Sequence, residues 1–294
     1  MIVKKIIFCC ITILYVGCST KDKQSNTHIS TIKKAELKKL TKTISLIQKY
    51  YIKQVDIGKL IDLNMKYTTK EEVNSAIKKI MDKLDKHSVY INSDVYNNYI
   101  KIKPFYYKTI DNNNLYIKIP YFTKNTVNNL TQTIQKRDEK IKSIILDLRD
   151  NPGGLLNQGI RTVDLFVDKG IIVSKRGRDI HNVTKYKATK KGTITSLPIV
   201  VLVNKQSASS AEIVSGALQD LKRATIIGEK TYGKGTIQAL IYITKNKKEA
   251  INLTVAKYYL PSGRMIENGI IPDLEVLDKQ LNYAVKFLAL QRGY

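Results

Sequence analysis

Three short apolar runs restrict this chain more than anything else in it: SIILDL (143–148), PIVVLVN (198–204) and ATIIGE (224–229). Continuous runs of this length are typical of strands buried on both faces. Helical spacing fills the gaps between them, from Leu155 to Val167 and again from Ala211 to Leu221, where Ala211, Val214, Leu218 and Leu221 share a face. Upstream, LYIKIPYF alternates like a further strand. Strands alternating with helices predict an α/β core containing parallel pairs.

Two units share a local plan. ILDLRDNPGG and VLVNKQSASS each run strand, turn, helix, so both turns bring backbone N–H groups at helix N-termini to one edge of the sheet, where α/β proteins build their sites. The first third is different. Leu37, Leu40, Ile44, Ile47 and Tyr51 recur at helical spacing, as do Val73, Ile77, Ile80 and Leu84 after the cap-like TTKEE, which predicts a small helical region over residues 31–100 ahead of an α/β domain over 101–294. No long internal repeat is evident.

The N-terminus reads as an export signal. Lys4 and Lys5 precede an apolar run from Ile6 to Val16, too short to span a bilayer, with Gly17 just before Cys18. The VGC ending resembles a bacterial lipobox, which predicts a signal peptide over 1–17, lipidation at Cys18 and a polar, flexible tether over 18–30. Tyr15 stands where such motifs usually carry leucine, and an ordinary cleaved signal is the other reading. All three cysteines, Cys9, Cys10 and Cys18, lie in this segment, so cysteine chemistry and cysteine-held metal are excluded from the folded body. The localisation expected is a bacterial cell envelope, membrane-anchored and facing the periplasm or the outside.

Fifty Lys and Arg against twenty-five Asp and Glu give a net charge of +25. The basic residues are spread along the chain and no nucleic-acid motif accompanies them, so the expected partners are not nucleic acids; attraction to anionic headgroups is the by-product expected of such a surface.

The chemistry concentrates in two places. In KQSASSAEIV, the SSAE of Ser209 to Glu212 fits a capping box, with Ser209 as N-cap. A nucleophilic serine fits the same position but needs a base. His28, His87 and His181 are in settings that do not stand out. In TYGKGTIQ, Lys234 sits between Gly233 and Gly235, either as a solvated hairpin lysine or as that base. An ordinary lysine is only about 0.04% neutral at pH 7, and lowering its pKa by about 2.5 requires about 3.4 kcal/mol of destabilisation of the ammonium, within reach of burial against the flanking apolar strands. Local sequence leaves both pairs of readings open.

Taken in order, LDKHSVY, ILDLRDNPGGLL, VVLVNKQSASSAEIVSGALQD, RATIIGEKTYGKGTIQ and YYLPSGRMIENGIIPDLEV resemble the serine-lysine C-terminal processing peptidases, also called tail-specific proteases, over most of residues 34–276. The resemblance implies a ClpP/crotonase-like α/β core with a mixed sheet and serine endopeptidase activity on protein or peptide substrates. It implies Ser209 as nucleophile, Lys234 as general base, Gln238 as the residue orienting the base, and Asp220 in a supporting role. For the oxyanion it implies the backbone N–H of Ser210 and of a glycine in NPGG; it does not separate Gly153 from Gly154, and Gly153 is the one taken. No metal or organic cofactor is implied. Membrane attachment through Cys18, and an adaptor or a homo-oligomer, complete the expected partners.

One departure concerns recognition. The family carries a PDZ domain where this chain has only residues 91–114, far fewer than the roughly 80 such a module needs. The tyrosines at 96, 99, 106 and 107 are expected to pack between the helical region and the core, a substitute contact surface for substrate being the other reading. The competing function classes are a non-catalytic peptide-binding lipoprotein on a peptidase scaffold and an adhesin exploiting the positive surface.

Overall fold

A computed structural model describes residues 23–292 apart from 62–66, 68, 92–104, 112 and 180, with side chains from 34 onward. The three apolar runs form neighbouring strands. In chain order β1 is Val89–Ile91, β2 Tyr106–Ile110, β3 Asn114–Lys118, β4 Ser143–Asp147, β5 Ile171–Arg176, β6 Val183–Lys187, β7 Ile199–Val203, β8 Thr225–Gly228, β9 Thr236–Tyr242, β10 Ala250–Tyr259 and β11 Leu274–Glu275. The helices are α1 Lys23–Tyr50, α2 Ile57–Leu60, α3 Lys70–Leu84, α4 Thr126–Gln135, α5 Leu156–Asp164, α6 Ser210–Asp220 and α7 Gln280–Gln291.

One six-stranded sheet has the order β11-β8-β7-β4-β3-β2, parallel throughout except for the β2–β3 pair. Its composition follows from its two buried faces. Ile144 and Leu146 of β4 and Ile199, Val201 and Val203 of β7 join the large cluster with α4, α5 and α6. Ile145, Val200 and Leu202 point the other way, onto Ala284 and Leu288 of α7. Successive residues along a strand face opposite sides, so only a continuous apolar run can supply both clusters.

The second sheet is antiparallel, with the order β1-β10-β5-β6 and β9 paired along β10. Helices α1 and α3 lie on it: Leu40, Ile47, Tyr51, Val73, Ile77, Ile80 and Met81 pack with Ile243, Ile251 and Leu253. Burial of each such side chain contributes roughly 1.5–3 kcal/mol, which fixes the helical region to this sheet. Helix α3 starts on the capping box expected of TTKEE, with Thr69 as N-cap and Glu72 reaching back.

Three expectations are corrected. Helix α1 begins at Lys23, inside the stretch read as a tether over 18–30; the segment is polar but contains neither Gly nor Pro, and polarity alone does not oppose a helix. The interval 91–114, described from sequence only as too short for a PDZ domain, includes an edge strand, β2. Tyr106 and Tyr107 stand 43% and 57% exposed on it, Tyr106 leaning on Tyr116 with ring centroids 5.6 Å apart, rather than being packed under the helices. Tyr96 and Tyr99, like Cys18 and the signal segment, lie outside the described residues. Among the described residues no helix is long and apolar enough to cross a membrane.

Candidate active site

The nucleophile candidate stands where β7 turns into α6. Ser209 is the N-cap of α6 with φ 57° and ψ −115°, a backbone state that costs a residue with a Cβ about 1–3 kcal/mol and persists only when its surroundings hold it. They do. The Ser207 hydroxyl donates to the Leu148 carbonyl at 2.8 Å and the Ala208 N–H to Asn151 O at 2.9 Å. Asp150 and Asn204 exchange hydrogen bonds at 2.9 and 2.8 Å. The two strand–turn–helix units are thus stitched together at their turns, and Ser207, an ordinary turn residue by sequence, is a buried stitch.

The NPGG turn lies directly against Ser209. Gly153 has φ +108°, and a Cβ there would come within 2.8 Å of Ser209 Cβ and 2.9 Å of the Ala208 carbonyl. Ser210 is buried, and its hydroxyl donates to Gly154 O at 3.1 Å. As the first residue of α6 it points its N–H out of the helix end, where the macrodipole favours negative charge. The Gly153 N–H, taken from the sequence as the second oxyanion donor, is given to Asn151 Oδ1 at 2.7 Å. The Gly154 N–H has no acceptor among the described residues, so the unoccupied amide of this turn belongs to Gly154.

Lys234 comes from the other side, in the loop between β8 and β9. Its flanking glycines are explained by close approach: a Cβ on Gly233 would lie 2.6 Å from Glu267 O, and one on Gly235 2.9 Å from Glu267 N. The side chain is half-buried, and burial pushes its pKa down, with the Glu212 charge opposing. Its ammonium makes no ion pair or hydrogen bond with another described residue, Ser209 included. The His87 ring is close enough that, after burial, the Lys234 charge is the main influence depressing its pKa.

Glu212 joins the two sides. Its carboxylate is fully buried and accepts four hydrogen bonds. One oxygen takes the N–H groups of both Ser209 and Lys234, each at 2.8 Å; the other takes the Thr231 hydroxyl and the Gly233 N–H, each at 2.6 Å. Burial raises its pKa despite the four donors. The capping-box pattern had announced the bond to Ser209 and concealed the other three, since nothing local marks a partner 19 to 22 residues away.

Gln238 lies on β9, four residues past the lysine, and its amide nitrogen donates to Thr236 Oγ1 and Thr254 Oγ1 at 2.8 and 3.2 Å. Asp220, at the far end of α6, accepts the Ser262 N–H at 2.9 Å and pairs with Arg264 at 2.9 Å, holding the PSGRM segment. Among the described residues no three His, Cys, Asp or Glu side chains are grouped to hold a metal ion. A hydroxyl at a helix N-terminus, neighbouring backbone amides and a half-buried amine with depressed pKa are the groups that acyl transfer would need as nucleophile, oxyanion donors and base.

Comparison with known proteins agrees. The model of peptidase family S41 matches residues 113–276, more than half of the chain. A carboxy-terminal-processing protease of Bartonella bacilliformis is 48% identical over 162 residues, covering 53% of this chain and 37% of its own length. The chain spans less than half the length of the relatives it matches in sequence. Among solved structures, a photosystem II D1 C-terminal processing protease superposes with a TM-score of 0.70 at 18% identity, over 83% of this chain and 93% of that one. A lipoprotein from Streptococcus agalactiae superposes with a TM-score of 0.73 at 17% identity, over 94% and 100%.

Proposed function

The chain belongs to peptidase family S41, and from that premise we propose that it is a serine endopeptidase working through Ser209 and Lys234. Neutral Lys234 takes the Ser209 hydroxyl proton as Oγ bonds to a peptide carbonyl carbon. The carbonyl oxygen becomes an oxyanion facing the Ser210 N–H and an amide of the NPGG turn. The C–N bond then breaks, the lysine ammonium gives its proton to the leaving amine, and water releases the acyl group from Ser209 by the same route. The substrates are proteins or peptides.

The observation that carries this reading is the single Glu212 oxygen shared by the Ser209 and Lys234 N–H groups. A half-buried lysine that makes no ion pair among the described residues also argues against a scaffold that merely binds peptides, because burial outweighs the Glu212 charge and favours the neutral amine a base needs. The lipobox-like VGC supports anchoring through Cys18 in a bacterial envelope, and the short interval at 91–114 supports substrate capture without a PDZ module.

Hydrolysis of an unstructured protein by purified enzyme tests the reading. Ser209→Ala and Lys234→Ala are each expected to lower kcat by on the order of 10⁴–10⁶ while the circular dichroism stays unchanged. The rise of kcat/KM with pH is expected below the ordinary lysine value of about 10.4, because burial favours the neutral amine. Wild-type turnover by Ser209→Ala would refute the assignment.

A further inference from the structure

LDKHSVY, at 84–90, is part of the sequence resemblance but lies outside the residues the family model matches, and the dyad gives it no role. The structure places it directly behind Gln238. Thr254 of β10 is the cross-strand partner of Gln238, and its hydroxyl accepts from the Gln238 amide nitrogen at 3.2 Å while donating to Asp85 Oδ1 at 3.2 Å. Asp85 also accepts the N–H groups of His87 and Ser88 at 2.8 and 3.0 Å and the Ser88 hydroxyl at 2.9 Å. Ser88 Oγ takes the Thr254 N–H at 3.1 Å.

We infer that Asp85 and Thr254 are positioning residues for Lys234, acting through Gln238 by fixing which end of its amide faces the lysine. This rests on the reading of Lys234 as the base and Gln238 as its orienting partner. The direction of the chain is set by chemistry. Surrounded by donors, Asp85 can only accept, so the Thr254 hydroxyl must spend its proton on the carboxylate and offers Gln238 a lone pair. Gln238 must then turn its NH₂ toward Thr254 and Thr236, which leaves its carbonyl oxygen as the free end. A carbonyl oxygen accepts one N–H of the lysine amine and so directs the nitrogen lone pair; an NH₂ in its place would face the amine with donors against donors. Burial alone would raise the Asp85 pKa, but the His87 N–H and the Ser88 and Thr254 hydroxyls outweigh it and hold the group ionised.

The chain of bonds continues into the helical region. Tyr51, at the end of α1, donates to the Leu84 carbonyl at 2.8 Å, and Asp85 is the residue closing α3. Docking of the two helices thereby sets the position of the carboxylate on which the amide direction depends.

A double-mutant cycle in the full chain tests this. Thr254→Val keeps the shape and removes the hydroxyl; it is expected to lower kcat about tenfold or more with KM within about twofold, while Thr254→Ser stays within about threefold of wild type. Asp85→Asn, which can donate to Thr254 and so reverse the chain, is expected to match Thr254→Val. In a Gln238→Ala background Thr254→Val should cost nothing further, whereas a purely structural role for Thr254 would multiply the two losses. Multiplied losses, or wild-type kcat in both Thr254→Val and Asp85→Asn, would overturn this inference alone. Wild-type kcat in Gln238→Ala would overturn the reading of Gln238 beneath it.

Discussion

Glu212→Gln is the substitution that most directly tests how the site is held together. All four partners of the buried carboxylate are donors, and two of them, the Ser209 and Lys234 N–H groups, share one oxygen. A glutamine has one acceptor oxygen. With that oxygen kept on the Ser209 and Lys234 side, the NH₂ faces the Thr231 hydroxyl, which can rotate, and the Gly233 N–H, which cannot. One backbone donor is left unsatisfied at about 1–3 kcal/mol, and the two retained bonds lose their charge assistance at about 1 kcal/mol each. Against this stands relief of the buried charge that raises the Glu212 pKa. The net expectation is a loss of about 2–3 kcal/mol, or about 5–10 °C in Tm. Because nucleophile and base are both hung from this group, kcat should fall about a hundredfold, as for a displacement of roughly 1 Å at a reacting centre.

The pH dependence of that loss has a definite sign. A carboxyl whose pKa is higher in the fold than in the unfolded chain contributes stability that is full at acid pH and is lost as the pH rises through the folded value. The Tm gap between wild type and Glu212→Gln should therefore be widest at acid pH and narrow as the pH rises out of the ordinary carboxylate range. Thermal unfolding followed by circular dichroism, with turnover of an unstructured protein, measures both quantities. A variant with Tm within 1 °C and kcat within about twofold of wild type would refute the claim that Glu212 clasps the two halves.

Two further outcomes follow from the same contacts. Gly153→Ala must place a Cβ 2.8 Å from that of Ser209 at φ +108°; it is expected to lower kcat more than a hundredfold at about 1–3 kcal/mol of stability, read by paired activity and unfolding measurements. Asp147 is fully buried among Lys118, the Arg149 guanidinium and the Tyr116 hydroxyl, so Asp147→Asn should cost about 3 kcal/mol, the lower end for a broken buried pair because both cations remain partly exposed. Burial would raise the Asp147 pKa, but the Arg149 bond and the Lys118 charge hold it down. This stability is present above the unfolded pKa and lost as pH falls through the folded one, so the difference in Tm should vanish in acid.

Much of the parallel sheet could be read from sequence because β4 and β7 are buried on both faces and show it residue by residue. The antiparallel sheet was harder. The strand that organises it, AINLTVAKYY of β10, mixes buried and half-exposed positions without a clean alternation, and its three partners approach from 8 to about 160 residues away. At the proposed site, Ser209, Lys234 and Gln238 could be singled out because a motif with fixed spacing carries them. Thr231, Thr254 and Asp85 were not, since each acts through a hydrogen bond to a residue distant in sequence. The choice between Gly153 and Gly154 depends on where the Asn151 side chain turns, which no spacing records.

The two halves of the proposed dyad are mounted on different sheets, Ser209 after the parallel β7 and Lys234 just before the antiparallel β9, and the described residues of α1 and α3 pack on the second. The molecule is therefore built like a vice with one fixed jaw. A force applied to the N-terminal helices reaches the proton acceptor first and the attacking oxygen only through the buried Glu212 carboxylate that joins the two. Loosening such a joint would therefore lower turnover and acylation by a hydroxyl-directed probe together, because both need the lysine within reach of the serine.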